Sequence, residues 1–348
     1  MYLAHVRSEG RGEPSADEST SNVRASGVIP IHLLILGLSS IVTRRVLPAL
    51  KAMTGIHRID VATAKAADRA IRDSWVHGDI WEDYSKALDS SSAQLVYVSV
   101  VNSDHDRWVH AALERGFHVV VDKPSFLGCD RAMQMVELAA SQGKCLAEAT
   151  VFGYHPQIRV AKQLFGEVGS GPTRISMMLS FPPLDPDNFR YQQSLGGGAL
   201  WDVGPYLAAT SRLFFGVEPE TANCNIVARG VTGVDIAFSA MATFPGGRSL
   251  IGHFGFDTAY CNQLQLIGES ITVQIDRAFT TPPDHANTVR VTGPKEQRIV
   301  NVPAADAFFH FFEQVIARMG AGDWRDLTND LIADSATLDR YRAAAGVI

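Results

Sequence analysis

IHLLILG, residues 31–37, runs directly into LSSIVTRRVLPALKAM, residues 38–53, and this passage decides the fold. Its first six residues are almost wholly apolar, as a strand covered on both faces must be. Gly37 closes the run, and Ile41, Val46, Leu47 and Leu50 beyond it approximate the apolar stripe of a helix. Strand, tight turn and helix in that order open a βαβ unit. The pattern continues outward. IDVATA (59–64), LVYVSVV (95–101), FHVVVD (117–122) and KCLAEAT (144–150) alternate with helical stretches such as DRWVHAALERG, closed by Gly116, and CDRAMQMVELAASQG, closed by Gly143. A doubly wound parallel sheet is expected over residues 29–150, an α/β dinucleotide-binding architecture.

Upstream, residues 1–28 are polar, rich in Ser and Glu and poor in large apolar groups, and read as a disordered tail. Beyond residue 150 the texture changes. TRISMMLSF, NCNIVA, VDIAFSAMATF, RSLIGHFGF, NQLQLIG and ITVQID are strand-like and joined by turns such as PGG and GES. Helical segments around FFHFFEQVIARM and DLIADSATLDRYRAAA follow them. Residues 151–348 are therefore expected to form an α+β domain with a large, mostly antiparallel sheet.

Composition narrows the function. The chain of 348 residues carries a formal net charge of −6, which argues against nucleic-acid binding, a task that usually needs a basic face. Its 4 cysteines, Cys129, Cys145, Cys224 and Cys261, form no CxxC pair, so neither a disulfide framework nor a zinc site is signalled. No apolar run approaches the roughly 18 residues needed to span a membrane. A cytoplasmic protein with reduced thiols and no metal is expected. The motifs of zinc proteases, serine hydrolases and P-loop enzymes are absent, and His253 and His285 fit no ligand spacing.

Ligands of a doubly wound sheet bind where strands turn into helices. In the first such turn, GLSS, the G-x-G-x-x-G fingerprint is reduced to Gly37, with Ser39 and Val42 where later glycines would stand. Gly37, Ser39, Ser40 and Ile41 are the candidate cofactor residues there. At the end of the second strand, where NAD-binding folds usually carry an acid, this chain has Lys65 and then Arg69. Either they are solvated surface cations or they pair with the 2′-phosphate of NADP.

The second domain contributes SLGGGALWDVGPYLAAT, residues 194–210. Residues three or four apart share one helix face, so Asp202, Tyr206 and Ala209 are expected on a single stripe. The three glycines before them are either a flexible connection or a loop whose backbone comes close to a bulky ligand.

Two of these passages carry a resemblance. VVNSDHDRWVHAALERGFHVVVDKP (100–124) resembles the stretch of the Gfo/Idh/MocA oxidoreductases that ends in Glu-Lys-Pro, and LGGGALWDVGPY (195–206) resembles their Gly-Gly-Gly helix. HPQ at 155–157 and LIGESITVQIDRAF at 266–279 also fit, so the similarity runs from about residue 31 onward. GLSSIVTRRVLPAL is similar to the first turn of the family's nucleotide-sugar 3-ketoreductases, which tend to lack the middle glycine and carry paired arginines. The departures are Asp122 for glutamate and Val101 for a proline.

The resemblance implies an NAD(P)-dependent oxidoreductase with Lys123, Asp202 and Tyr206 as catalytic residues. Asn102, His105 and Pro124 join the cofactor set, and His155, Gln157, Arg190 and Gln192 are candidates for touching substrate. Hydride transfer to a ketone needs a proton donor and a cation to stabilise the incipient alkoxide, roles that Tyr206 and Lys123 supply. The lysine is expected to lower the tyrosine pKa, and Asp202 to orient the lysine or hold a sugar hydroxyl. The leading expectation is NADPH-dependent reduction of a keto group on a sugar or nucleotide-linked sugar, with NAD as the other possible cofactor. Two alternatives stand beside it: an aldose or dihydrodiol dehydrogenase working oxidatively, and a catalytically silent dinucleotide-binding sensor or scaffold. A small carbohydrate as partner and a homo-oligomer built through the second sheet complete the expectation.

Overall fold

The computed structural model describes residues 30–64 and 78–347. The expected tail lies outside the described residues, as do Lys65 and Arg69. The first sheet is built from six parallel strands: β1 Ile31–Leu36, β2 Ile56–Ala62, β3 Ile80–Trp81, β4 Leu95–Val98, β5 His118–Val121 and β6 Leu146–Glu148. Their order is β3-β2-β1-β4-β5-β6. The order reverses between β1 and β4, which makes their carboxyl ends the ligand crevice of a doubly wound fold.

Burial on both faces explains the apolar sequence of β1. Leu33 and Ile35 join one core cluster while Leu34 and Leu36 join another, as alternate residues of a strand must. A wide, π-type turn at Val42–Val46 leads into α1 Leu47–Lys51 on the first face. Helices α2 Tyr84–Ser90, α3 His105–Glu114 and α4 Cys129–Ser141 cover the second. Gly37 has φ +93, and a Cβ there would overlap the Ser99 carbonyl. The lone glycine of the first turn thus lets β1 pass close against the end of β4.

Beyond β6, α5 Pro156–Glu167 leads into an eight-stranded sheet. Its strands are β7 Arg174–Ser180, β8 Thr221–Arg229, β9 Asp235–Phe244, β10 Arg248–Gly255, β11 Cys261–Ile267, β12 Thr272–Asp276, β13 Asn287–Thr292 and β14 Gln297–Val302. Every pairing is antiparallel except β7 with β10. Ile175, Met177 and Leu179 of β7 point inward to the core that includes Leu164 and Phe165 of α5. The opposite face is open, with Met178, Met241 and Ile251 exposed at 41%, 48% and 51%.

Two further helices, α6 Ala199–Asp202 and α7 Gly204–Phe215, lie between β7 and β8 in the chain. After β14 come α8 Ala307–Ala321 and α9 Arg325–Ala344. Phe308, Phe311, Phe312 and Val315 of α8 pack back onto the first sheet. Helix α9 contributes Leu327 and Leu331 to the two cores flanking that sheet and Tyr341 to the core of the second. Among the described residues no helix is long and apolar enough to cross a membrane, and all four cysteines are free thiols.

One buried charge ties the strands of the first sheet. Asp60 in β2 is fully buried, meets His32 Nε2 at 2.7 Å and Arg58 Nε at 3.0 Å, and accepts hydrogen bonds from Ser91 Oγ and the Asp79 amide. Burial pushes this carboxyl up, but its hydrogen bonds and the charged neighbours outweigh burial and leave it below the ordinary aspartate value. A depressed folded-state pKa stabilises at pH above the ordinary carboxylate range and is lost as pH falls through the lowered value. Replacing Asp60 with Ala is expected to cost about 1–3 kcal/mol at neutral pH, because it leaves buried hydrogen-bonding partners such as the Ser91 hydroxyl unsatisfied; urea unfolding of both proteins measures it. The difference should shrink as the pH is lowered.

Candidate active site

A cleft of ≈ 530 Å³ opens at the carboxyl ends of β1, β4, β5 and β6 and is roofed by loops of the second domain. Its floor at the switch point is a relay of hydroxyls. Tyr97 and Ser99 both donate to the Asp122 carboxylate. Ser99, having spent its proton, accepts from Ser39 Oγ at 2.8 Å, and Ser39 in turn accepts from the Val42 amide at 3.2 Å. A serine therefore stands where the fingerprint would have its second glycine and ties the turn to β4. Ser39, Ser40 and Ile41 line the cleft, with the exposed Arg44 and the half-buried Arg45 beside them.

Lys123 follows β5, and its ammonium reaches across to the second domain, 2.9 Å from Asp202 Oδ1. It also donates to the backbone carbonyl of Asp202. That carbonyl is accessible because the expected single helix is two. Pro205 would clash with the Trp201 carbonyl in a continuous helix, so the chain breaks at Val203 and restarts as α7. The Tyr206 amide consequently bonds the Val203 carbonyl at 3.2 Å, three residues back, instead of Asp202 four residues back. Asp202 and Tyr206 still share the cleft wall across the break. The Tyr206 ring is wedged between Phe152 and Phe279, each with its centroid 5.6 Å away, and Lys123 Nζ lies 5.4 Å from its centre.

The three glycines meet protein where a flexible connection or a bulky ligand was expected. A Cβ on Gly196 would sit 2.7 Å from Asn102 Cβ; on Gly197, 2.6 Å from the Arg190 carbonyl; on Gly198, 2.5 Å from Asp235 Oδ1. The loop is threaded between the first domain, the Phe189–Tyr191 turn and β9. Asp235 of β9 accepts from the Leu200 amide at 2.6 Å and so caps the start of α6. Asn102 is committed to the same seam, donating to the Gly196 carbonyl at 2.9 Å.

Charge in the site is dominated by Asp202. Burial pushes its carboxyl up, but the Lys123 and Arg190 cations overcome burial and hold it well below the ordinary carboxylate range. Arg190 Nε lies 2.8 Å from Oδ2, the oxygen that Lys123 does not use. Burial disfavours the Lys123 ammonium, yet Asp202 and Tyr206 leave it above the ordinary lysine value. Tyr206 departs from expectation. Burial raises its phenol above the usual tyrosine value and the opposing pull of Lys123 does not reverse this, so the group is a neutral O–H at physiological pH.

Other expected residues divide. His155 lines the cleft; burial and the nearby His310 push it down to about 4. Its Nδ1 accepts from the Gln157 amide at 3.2 Å as the cap of α5, leaving Nε2 to carry the proton beside the Ala305 carbonyl. Gln157 itself is fully buried away from the cleft. Its side-chain amide donates to the Ala278 carbonyl at 2.9 Å and to Thr281 Oγ1 at 3.0 Å, and accepts from Asn287 at 2.7 Å, which holds the loop after β12. His105, also fully buried, bridges the Pro124 carbonyl at 2.8 Å and the Val100 carbonyl at 3.2 Å and joins the loops after β4 and β5 from beneath. Pro124 therefore meets His105 outside the cleft lining. Gln192 is exposed on the far side of its turn. Sequence reasoning did not single out Arg45, whose Nη2 donates to the Thr281 carbonyl at 3.1 Å while its guanidinium lies 5.5 Å from the Phe308 ring centre. Nor did it single out the aromatic pair around Tyr206; the paired-arginine motif and FGY before HPQ were the available signals.

Because Gly197 is packed against backbone, its neighbours have little freedom to give way. Gly197→Ala is expected to cost about 1–3 kcal/mol, the usual penalty of overpacking, seen as a lowered melting temperature and a changed near-ultraviolet spectrum for the adjacent Tyr191.

Two family models match the chain in order. The oxidoreductase family with an NAD-binding Rossmann fold, Gfo/Idh/MocA, covers residues 31–150, and the Gfo/Idh/MocA C-terminal domain covers residues 159–276. The dTDP-3,4-didehydro-2,6-dideoxy-alpha-D-glucose 3-reductase of Streptomyces violaceoruber is 30% identical over 88% of this chain and 90% of its own length. A D-xylose 1-dehydrogenase (NADP(+)) of Haloferax volcanii is 26% identical over 72% of this chain and 78% of its own. Among solved structures, the 3-ketoreductase KijD10 from Actinomadura kijaniata, in complex with NADP and TDP-benzene, superposes with a TM-score of 0.85 at 26% identity, over 91% of this chain and 98% of its own. With both halves of the fold matched in sequence and the lysine, aspartate and tyrosine meeting in the cleft between them, the chain belongs to the Gfo/Idh/MocA oxidoreductase family.

Proposed function

We propose that this protein reduces a keto group on a nucleotide-linked sugar, with NADPH as the reductant and Tyr206 as the proton donor. The observation that carries the reading is the convergence of Lys123, Asp202 and a protonated Tyr206 on one cleft at the switch point of the parallel sheet. The 3-reductase of Streptomyces violaceoruber and the NADP-bound 3-ketoreductase of Actinomadura kijaniata support the substrate and cofactor classes.

The residues present fit a dinucleotide. The turn after β1 opens into the cleft through Ser39, Ser40 and Ile41, and the Asp122 carboxylate on the floor is held back by the hydroxyls of Tyr97 and Ser99. Arg44 and Arg45 add positive charge to the same wall. In this reading Lys65 and Arg69 take the 2′-phosphate, while Asn102 orders the loop beside the nicotinamide. When bound, the nicotinamide supplies the hydride.

Tyr206 gives its proton to the carbonyl oxygen as negative charge develops there. Lys123 stabilises both that oxygen and the phenolate left behind, held in place by the carboxylate and the freed carbonyl of Asp202. Phe152 and Phe279 keep water from the phenol edge and so strengthen these charge interactions. A raised phenol pKa favours the reductive direction, in which the tyrosine must begin protonated. His155 shapes the cleft wall as the cap of α5, and Arg190 is available to the substrate. The exposed Met178, Met241 and Ile251 support the second sheet's open face as the contact between copies of this chain.

Titration with NADPH and NADH, followed by cofactor fluorescence, is expected to give the tighter binding with NADPH, and Lys65→Asp should move the preference toward NADH. Binding of neither cofactor refutes the reading. Tyr206→Phe is expected to lower kcat by roughly 10²–10⁴-fold, the usual worth of a general acid, while NADPH affinity stays within twofold. Equal turnover in the two proteins would remove Tyr206 as donor.

A further inference from the structure

The Lys123–Asp202 pair is formally neutral, which raises the question of how it supports an anion forming beside it. An ammonium 2.9 Å from a carboxylate oxygen presents little net field to a third group, since the two charges largely cancel with distance. Arg190 changes that sum. Its Nε sits 2.8 Å from the other carboxylate oxygen, so two cations share one anion and the trio carries one net positive charge. The three side chains are 20%, 9% and 28% exposed for Lys123, Asp202 and Arg190. At that burial the field is only partly screened by solvent.

Arg190 is placed with care. It lies in the Phe189–Tyr191 turn, which Asn188 caps by accepting from the Arg190 amide at 3.1 Å. Its guanidinium stacks 4.8 Å from the Phe189 ring centre. Its carbonyl accepts from the Gly198 amide at 2.9 Å, and Gly197 packs against it so closely that no side chain fits between. The glycine loop therefore fixes both the arginine and the helix that bears Asp202.

We propose that Arg190 is a positioning residue: by occupying the second oxygen of Asp202 it leaves the charge of Lys123 uncompensated, so that the site holds one net positive charge for the Tyr206 oxygen. This rests on the reading of Tyr206 as proton donor and explains how its anion is tolerated. The charged groups facing Tyr206 are Lys123 from the end of β5, Asp202 from α6, Arg190 from its turn and Arg45 from the first turn of the chain's first domain. Asp122 faces Arg190 from the floor, and the remaining sides are the rings of Phe152 and Phe279. Lys123, Arg190 and Arg45 all pull the phenol down; only Asp202 and burial push it up.

Charge counting supplies the test. Arg190→Lys keeps the sum at one positive charge, Arg190→Gln reduces it to zero, Asp202→Asn raises it to two, and the double variant restores one. The Tyr206 phenol is titrated directly by NMR of the protein labelled at the tyrosine Cζ carbons, the signal assigned by its loss in Tyr206→Phe, without cofactor or substrate. Relative to the parent, Arg190→Gln is expected to titrate higher by about one pH unit and Asp202→Asn lower by about as much. Arg190→Lys and the double variant should fall near the parent. With NADPH and ketone, Arg190→Gln should lower kcat at least tenfold with unchanged NADPH affinity, and Arg190→Lys should recover most of it. An unmoved phenol in Arg190→Gln, or an Arg190→Lys as displaced as Arg190→Gln, overturns the proposal. Since the titration needs no turnover, it separates that failure from a failure of the ketoreductase reading, which would show as no activity in a parent whose phenol obeys the charge count.

Discussion

A carboxylate that keeps its charge out of water needs partners for that charge, and Asp202 finds a cation for each oxygen. Breaking such an arrangement is far more costly than never forming it, so the surrounding structure is best understood as what delivers Lys123 and Arg190 to opposite sides of one residue. β5 ends two residues before the lysine. A capped three-residue turn presents the arginine. The aspartate closes a helix of only four residues, begun by a cap borrowed from β9 and ended by a proline. None of these elements would be well defined alone, since short helices and turns are marginal in water; each is fixed by what it holds.

The proline break has a second consequence. A continuous helix would use every carbonyl internally, and Lys123 would meet only a mobile carboxylate. Interrupting the ladder leaves a backbone acceptor on the same residue, so the ammonium is held from two directions by groups that cannot move independently. Tyr206, one residue beyond the proline, then rises from the next helix into a slot between two phenyl rings.

Much of this was legible in the chain. The apolar strands of the first sheet, their glycine-terminated helices and the Lys-Pro and Gly-Gly-Gly passages located both domains and the Lys123, Asp202 and Tyr206 trio. Where reading failed, long-range packing had overruled local chemistry. The glycines were legible as a close approach but not as an approach to Arg190, Asp235 and Asn102, which come from distant parts of the chain. Gln157 and His105 carry polar groups that suit a ligand, yet each is consumed by backbone carbonyls and side chains that only the fold brings near. The sign of the Tyr206 shift was misjudged because a neighbouring cation is visible in a motif and burial is not. Helix α5 escaped notice because Pro156 reads as a breaker, although the first helical position tolerates it. The β13–β14 hairpin escaped because β14, at the sheet edge, exposes most of its side chains.

Helices α8 and α9 set the order in which the molecule can be completed. Phe308, Phe311, Phe312 and Leu331 fill the two faces of a sheet whose strands all lie before residue 150. On a ribosome, where earlier segments emerge first, α1 and the helices α2, α3 and α4 can meet the sheet early, but the first face waits some 160 further residues for the phenylalanines of α8. The dinucleotide-binding half therefore reaches its final packing only after the second domain has been made.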